Sequence, residues 1–518
     1  MQSTVRSSLL IQRAASWAAK KYHENRVPLL TTLLLGFLAH AFAFTNKLLN
    51  SDEVQSLFGK GASLISGRWG LDILSRIFPD VSMPWIYGII TIALLAVAVC
   101  LLVHTLHLRS KWIQVLAAGF VITFPSLTGT FSYMFTSSSY GVAFLLAVLA
   151  PWLLQKKSVW CWLGAILCMV FSLSIYQAYV SLTAGVLVLS LIRQLMDGDE
   201  PLPILGRGIA YVAFLILSMG LYYGITQLFL SVRSSELCEY ASHSIDLKIN
   251  EIPYKIQVAY KSFFDHFRED SIGLIPTVFS RKLHVALMAI AGVLLAFQLF
   301  RMRRKPLCVL LVVALVAIFP LAVNCIYLFI LYWSIHSLVM YGFVSVYLMV
   351  LLLADETLTH PVQADFTDCA RRLCLDITAI VSAVIIIVNI YIANESYLTL
   401  HMRYENTYAF YTSLISELNQ SPEFTEGTRL AVIGSWVRPS FYNDKMTLSD
   451  KITGISGVTP DCYGREFFLR YYVGYDIPFA SYAEEAEIAA SPEFAEMPRY
   501  PYHGSIQKFG DIMVVKLS

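Results

Sequence analysis

The chain has 518 residues, of which 57% are hydrophobic and 14% charged, and its net charge is +2. A soluble domain carries about 25% charged residues, so this composition excludes an ordinary soluble protein and places the chain among polytopic α-helical membrane proteins. A balance so near neutral excludes nucleic acid as an expected partner, and basic residues count here by position rather than by sum.

Residues 1–27 interleave Arg6, Arg13, Lys20, Lys21 and Arg26 with Leu9, Leu10, Ile11 and Trp17. No compact apolar core precedes a small-residue cleavage site, so a cleavable signal peptide is not expected. The pattern predicts a basic amphipathic helix on the cytoplasmic membrane surface. A helix that crosses a bilayer core needs about 20 apolar residues. Stretches of that kind run near 28–46, 84–106, 112–127, 131–154, 158–175, 177–195, 207–231, 282–300, 306–328, 337–354 and 373–394. They predict about eleven spans in a transmembrane region covering 28–394. The stretch 158–195 is too long for one helix, and Ser174-Ile175-Tyr176-Gln177 is its best break.

Charge tests this count. With the N-terminus inside, alternate connections carry Lys20/Lys21/Arg26, Arg109/Lys111, Lys156/Lys157, Arg193/Arg207, Arg301/Arg303/Arg304/Lys305 and Arg371/Arg372. Short basic connections mark the cytoplasmic side. The loops 47–83 and 232–281 and the region 395–518 then fall outside. Both loops contain amphipathic stretches suited to the outer interface. The last region is composed like a small α/β domain, with a helix over 405–418 and strands near 430–434 and 511–517. Five of the nine cysteines lie in apolar runs, where a thiol is a small hydrophobe. Only Cys238 and Cys462 fall in outer segments, and two free thiols are expected there. No cysteine or histidine spacing suggests a metal.

The outer face gathers the residues that can carry chemistry. Asp52 and Glu53 follow the first span directly; Asp52 is the candidate general base and Glu53 a supporting acid or fold anchor. Arg68 offers a planar donor fork that matches phosphate oxygens, and Trp69 beside it can anchor a loop or stack on a sugar ring. Tyr133 and Phe135 open the fourth span at the same face, and Tyr176 and Gln177 lie in the tight turn between the fifth and sixth. Arg281, Lys282, His284 and His336 precede later spans as candidates for an anionic lipid phosphate. His40, Asn324 and Asn389 are intramembrane polar residues best explained by packing between helices. Asp197-Gly198-Asp199 sits on a short inner loop with no nucleotide-binding domain around it. Neither a P-loop nor a GxGxxG motif occurs, so a nucleotide donor is not expected.

Asp52 after the first span, Gly67-Arg68-Trp69-Gly70 and Pro84 opening the second span resemble the Gtr type-II glucosyltransferases of bacterial membranes. Ser174-Ile175-Tyr176-Gln177-Ala178-Tyr179, Asn394-Glu395-Ser396-Tyr397, Tyr404-Glu405-Asn406-Thr407-Tyr408-Ala409 and Val432-Ile433-Gly434 continue the resemblance in order. It implies a GT-C-like architecture, a hexose (glucose) taken from a polyprenyl-phosphate donor, and no cofactor. It also implies a cell-surface glycan acceptor, such as O-antigen or teichoic acid, on the outer face of the cytoplasmic membrane. The flippase and synthase that supply the donor would be partners. In GT-C enzymes an acid of the first outer loop serves as base, which falls on Asp52. A second acid is often found in the next outer loop, but here 126–132 contains none, so that role either falls to Glu53 or is absent. Two other readings compete: a lipid-linked glycan polymerase or ligase, and a flippase or transporter of lipid-linked sugars. A transporter would be expected to show paired halves and midplane charges, and the sequence shows neither.

Overall fold

The computed structural model describes residues 2–58, 64–78, 81–237, 249–269, 272–275, 277–330, 335–360, 365–436 and 451–518. Cys238 lies outside them; Cys462 is a free thiol. The chain is mostly helical and is a multi-pass membrane protein. Nine helices among the described residues are long and apolar enough to cross a membrane, or ten if one bent pair counts as a span. That pair is α5 (Lys111–Thr123) and α6 (Pro125–Ser132), which meet at 41°. Pro125 cannot donate a helical hydrogen bond, and the residue before a proline is pushed to extended backbone; Phe124 has ψ 135°. The shortfall against about eleven falls on α8 (Val159–Ile175), whose 17 residues are short for a bilayer core. It ends at the Tyr176 break.

The amphipathic segment and the first span are one helix, α1 (Gln2–Thr45), running through Pro28. Around α1 pack α4 (Pro84–Thr105) and α5, and α4 in turn packs on α7 (Met134–Leu154). The centre is formed by α9 (Val180–Asp197) and the helix Val344–Thr359, both buried along most of their length. Small residues let these backbones approach. A Cβ on Gly342 would lie 2.5 Å from that of Ser181, and one on Gly185 would lie 2.5 Å from Ser345 Oγ. Intramembrane polar side chains join helices as expected: His40 Nδ1 meets the Tyr397 hydroxyl at 2.7 Å, and Asn324 Nδ2 donates to the Ala259 carbonyl at 2.9 Å.

At the end of the bundle opposite Asp52, basic residues of the connections are used for packing. Arg193 is 1% exposed and pairs with Asp355 at 3.2 Å and Glu356 at 3.1 Å, both acids fully buried. Asp355 also accepts from the Ser110 backbone at 2.8 Å, and Arg301 donates to Glu356 at 2.6 Å. Buried charges persist only when paired and hydrogen-bonded, so this network pins four helix ends to one another. Asp197 joins it through Arg109 at 2.6 Å, which gives the Asp-Gly-Asp run a structural partner.

The long helix Asp365–Leu418 carries the last span and the segment predicted as a separate helix over 405–418 without a break at 394/395. Its C-terminal end packs Phe410, Tyr411, Leu414 and Leu418 against a three-stranded sheet of order β1-β3-β2. In it β1 (Arg429–Ile433) runs parallel to β3 (Ile512–Lys516), and β2 (Ile506–Phe509) pairs antiparallel with β3. The expected strands are β1 and β3; β2 is additional, joined to β3 by a turn with Gly510 at φ +62°. The two regions exchange side chains. Leu49 and Val54 from beside Asp52 enter the sheet's core, and Ile452 and Ile455 enter the core of the helical bundle.

Candidate active site

Asp52 lies on a one-turn helix, α2 (Ser51–Gln55), directly after α1. Asn50 caps it, its Oδ1 accepting from Glu53 N at 2.9 Å. The same side chain donates from Nδ2 to the Ser132 carbonyl at 2.7 Å, which ties α2 to the end of α6. The two acids part at this point. Glu53 is fully buried and accepts from Lys47 Nζ, Ser82 Oγ and the Phe135 backbone N–H. Asp52 is partly exposed and faces a cavity of about 330 Å3. Glu53→Gln should therefore act on stability, weakening hydrogen bonds to a charged group at a cost of about 1–3 kcal/mol. Thermal unfolding of the purified variant should show this loss, while its folded fraction keeps a transfer rate near wild type.

The Gly67-Arg68-Trp69-Gly70 run has a separate reason for each residue. Gly67 turns the chain at φ +71°, a left-handed conformation suited to glycine. A Cβ there would also lie 2.8 Å from the Tyr222 hydroxyl, which donates to the Gly67 carbonyl at 3.0 Å. Gly70 lets α3 (Trp69–Leu74) lie on the end of α8, where a Cβ would come within 2.3 Å of Ser174 Oγ. Trp69 is buried, stacked on Phe229 at 5.3 Å with Nε1 donating to Thr226 at 3.2 Å. It anchors the loop and does not line the cavity. Gln177 also stands behind the wall, donating to the Tyr222 hydroxyl at 2.7 Å and the Ser66 carbonyl at 3.4 Å. What these residues present to the cavity is Arg68.

Arg68 is braced by two stacked tyrosines. Tyr140 and Tyr176 lie with ring centroids 4.4 Å apart. The guanidinium carbon is 5.3 Å from the Tyr176 centroid, a cation–π distance, and Nη1 donates to the Tyr140 hydroxyl at 3.3 Å. Tyr133, Phe135 and Thr136 supply another part of the wall, and His336 and Leu338 a further one. Burial, with the nearby Arg68 cation, pushes the His336 pKa down to about 4. His336 is thus neutral near pH 7, and its Nδ1 meets Thr453 Oγ1 at 3.1 Å. Arg68 is the one cationic side chain among the described lining residues at neutral pH.

Of the sequence candidates, Asp52, Arg68, Tyr133, Tyr176 and His336 line one cavity, although they come from five separate parts of the chain. Glu53, Trp69 and Gln177 support it from behind. Arg281 and Lys282 do not line it: Arg281 donates to the Arg268 carbonyl at 2.8 Å, and Lys282 is exposed. His284 is buried in its own helix pair, 2.7 Å from the Tyr347 hydroxyl. Two residues beyond the sequence reading reach the site from the C-terminal region. Thr453 lines the cavity, and Tyr463 donates its hydroxyl to Asp52 Oδ1. No local pattern in the sequence marks either residue; of the nearby glycines, Gly454 and Gly457 turn the chain at φ +86° and +74°, and Gly464 lies against the Ser51 carbonyl. Among the described residues no cluster of three His, Cys, Asp or Glu side chains suits a metal ion.

The arrangement sets a carboxylate, a guanidinium and stacked aromatic rings around one space at the end of a helical bundle. Such a set can take a proton from a hydroxyl and hold an anionic group nearby. A comparison with family models matches residues 41–349 to the family described as glucosyl transferase GtrII. That match covers α2, the Gly67–Gly70 run, both stacked tyrosines and His336. Searches of curated proteins and of solved structures gave no match.

Proposed function

Because the chain belongs to the GtrII glucosyl transferase family, we propose that this glucosyltransferase takes glucose from a polyprenyl-phosphate donor and passes it, with inversion, to a hydroxyl of a cell-surface glycan on the outer face of the bacterial cytoplasmic membrane. The observation that carries this reading is the meeting of Asp52 and Arg68 in one cavity at the end of the bundle away from the Arg193 network. The chemistry of those two groups supports the donor class. A lipid phosphate is an anionic leaving group that stays at the membrane surface, and an arginine fork fits its oxygens.

Asp52 removes the proton of the acceptor hydroxyl as its oxygen attacks the anomeric carbon. The new C–O bond forms as the bond to the phosphate oxygen breaks, and the electron pair leaves with the polyprenyl phosphate. Charge on that phosphate grows towards the transition state, where a preorganised cation contributes most. Arg68 holds that place, kept from swinging by Tyr140 and Tyr176. The faces of Tyr133 and Phe135 suit the apolar face of a pyranose ring. Attack in line from the side opposite the phosphate makes the reaction inverting, and positioning in the cavity lowers its entropic barrier.

The test is transfer by the full-length protein in liposomes, given polyprenyl-phosphate [14C]glucose and a cell-envelope glycan fraction. Label should enter the glycan and free polyprenyl phosphate should accumulate, whereas UDP-[14C]glucose should give no product. Use of UDP-glucose would overturn the donor assignment. Movement of the labelled lipid across the bilayer with no transfer would favour the transporter reading instead.

A further inference from the structure

We propose that the segment 451–464, outside the residues matched to the family, completes the catalytic pocket, with the Tyr463 hydroxyl acting as the positioning group for Asp52. The inference rests on the reading of Asp52 as the base. Tyr463 donates to Asp52 Oδ1 across 411 residues of sequence, and the family match ends at residue 349. The contact is held by its surroundings on several sides. Gly464 lies so close to α2 that a Cβ would come within 2.8 Å of the Ser51 carbonyl oxygen. Thr453 exchanges hydrogen bonds with Ser337, its N–H donating to Ser337 Oγ at 2.9 Å, and its carbonyl accepts from Ser132 Oγ at 3.3 Å. Gly454, at φ +86°, sits where a Cβ would strike the same Ser132 hydroxyl. Ile452 and Ile455 are buried in the bundle, while Val54, two residues from Asp52, is buried in the sheet's core. Separating the segment from α2 would expose apolar surface on both sides, so the backbone that carries Tyr463 is held beside Asp52.

The chemical consequence follows from the freedom of a carboxylate. The terminal torsion of an aspartate is broad, and α2 restrains only its backbone. A hydroxyl bonded to Oδ1 stops that rotation and leaves Oδ2 for the acceptor hydroxyl. Partial burial and the adjoining carboxylate push the Tyr463 pKa up from the ordinary tyrosine range, so the group remains a donor. Tyr463 moves no proton in this scheme; it sets the angle from which Asp52 takes one.

The experiment compares wild type, Tyr463→Phe, Asp52→Asn and the double variant as full-length protein in lipid nanodiscs. The probes are polyprenyl-phosphate glucose and a cell-envelope glycan fraction. Tyr463→Phe keeps the ring and should unfold at the wild-type temperature. Its kcat should fall about tenfold or more, the loss typical of one hydrogen bond to a charged group, with the donor KM unchanged. Added to Asp52→Asn it should cost nothing further, because residues that act as a unit are not additive. A wild-type or raised kcat in Tyr463→Phe overturns the proposal, the raised value meaning that Tyr463 competes with the acceptor. An additive loss in the double variant overturns it in favour of a purely structural role. Wild-type turnover in Asp52→Asn overturns the base assignment itself, whatever Tyr463 does.

Discussion

Asp52→Asn is expected to lower glucose transfer by about 10^2- to 10^4-fold, the range that a positioned general base contributes. The substitution is close to isosteric and keeps an oxygen that can accept from Tyr463, so the local fold should survive; what it removes is the capacity to take a proton. Glu53 cannot replace it. Its oxygens are engaged by Lys47, Ser82 and the Phe135 backbone, and the side chain is fully buried. His336 is a poor substitute, because its Nδ1 is engaged by Thr453 and the Arg68 cation stands nearby. Initial rates with saturating donor, scaled to the monodisperse fraction on gel filtration, provide the measurement. Near-normal turnover in Asp52→Asn would mean that another group takes the proton and that the proposed mechanism is wrong.

The contrast between the two acids shows what a sequence can carry. Their placement after the first span was legible, because hydropathy and alternating charge locate a residue along the membrane normal. Their division of labour depends on which way a one-turn helix faces, and adjacent residues on it point to different sides. The sequence could state that division only as a preference. Arg281 and Lys282 make the same point about the bundle as a whole. Their charge and position carry information about depth but none about the angle around the bundle, and in the structure they do not line the cavity.

The Gly67-Arg68-Trp69-Gly70 run was legible as a motif for reasons the structure makes physical. One glycine adopts a positive φ and the other admits a close helix crossing. The sequence left Trp69 two uses, a loop anchor or a surface for a sugar ring, and in the structure it stacks inward on Phe229. An apolar helix, Pro201–Val232, stands beside it and covers it. Tyr463 was not legible at all. No local pattern marks it, and its partner lies 411 residues away. One helix runs unbroken through 394/395 for a related reason: the difference between its two halves lies in what packs against them.

Arg68→Ala should reduce kcat by about 10^2- to 10^3-fold, as removal of one preorganised donor to a developing anion does elsewhere. The loss should fall more on kcat than on donor KM. The donor phosphate is already charged in the ground state, so some binding energy is lost with the cation, but the larger share appears as the phosphate gains charge on leaving. Arg68→Lys should recover only part of the rate. A lysine is a point charge on a flexible stem and cannot both donate to the Tyr140 hydroxyl and present a two-pronged fork to phosphate. The flat stack of Tyr140 and Tyr176 should persist in both variants, since its rings are buried and held by the surrounding helices. Single-turnover rates over a range of donor concentrations separate the two effects. A change confined to the KM for the glycan acceptor would place Arg68 on the acceptor side of the cavity and leave the phosphate to be held by another group.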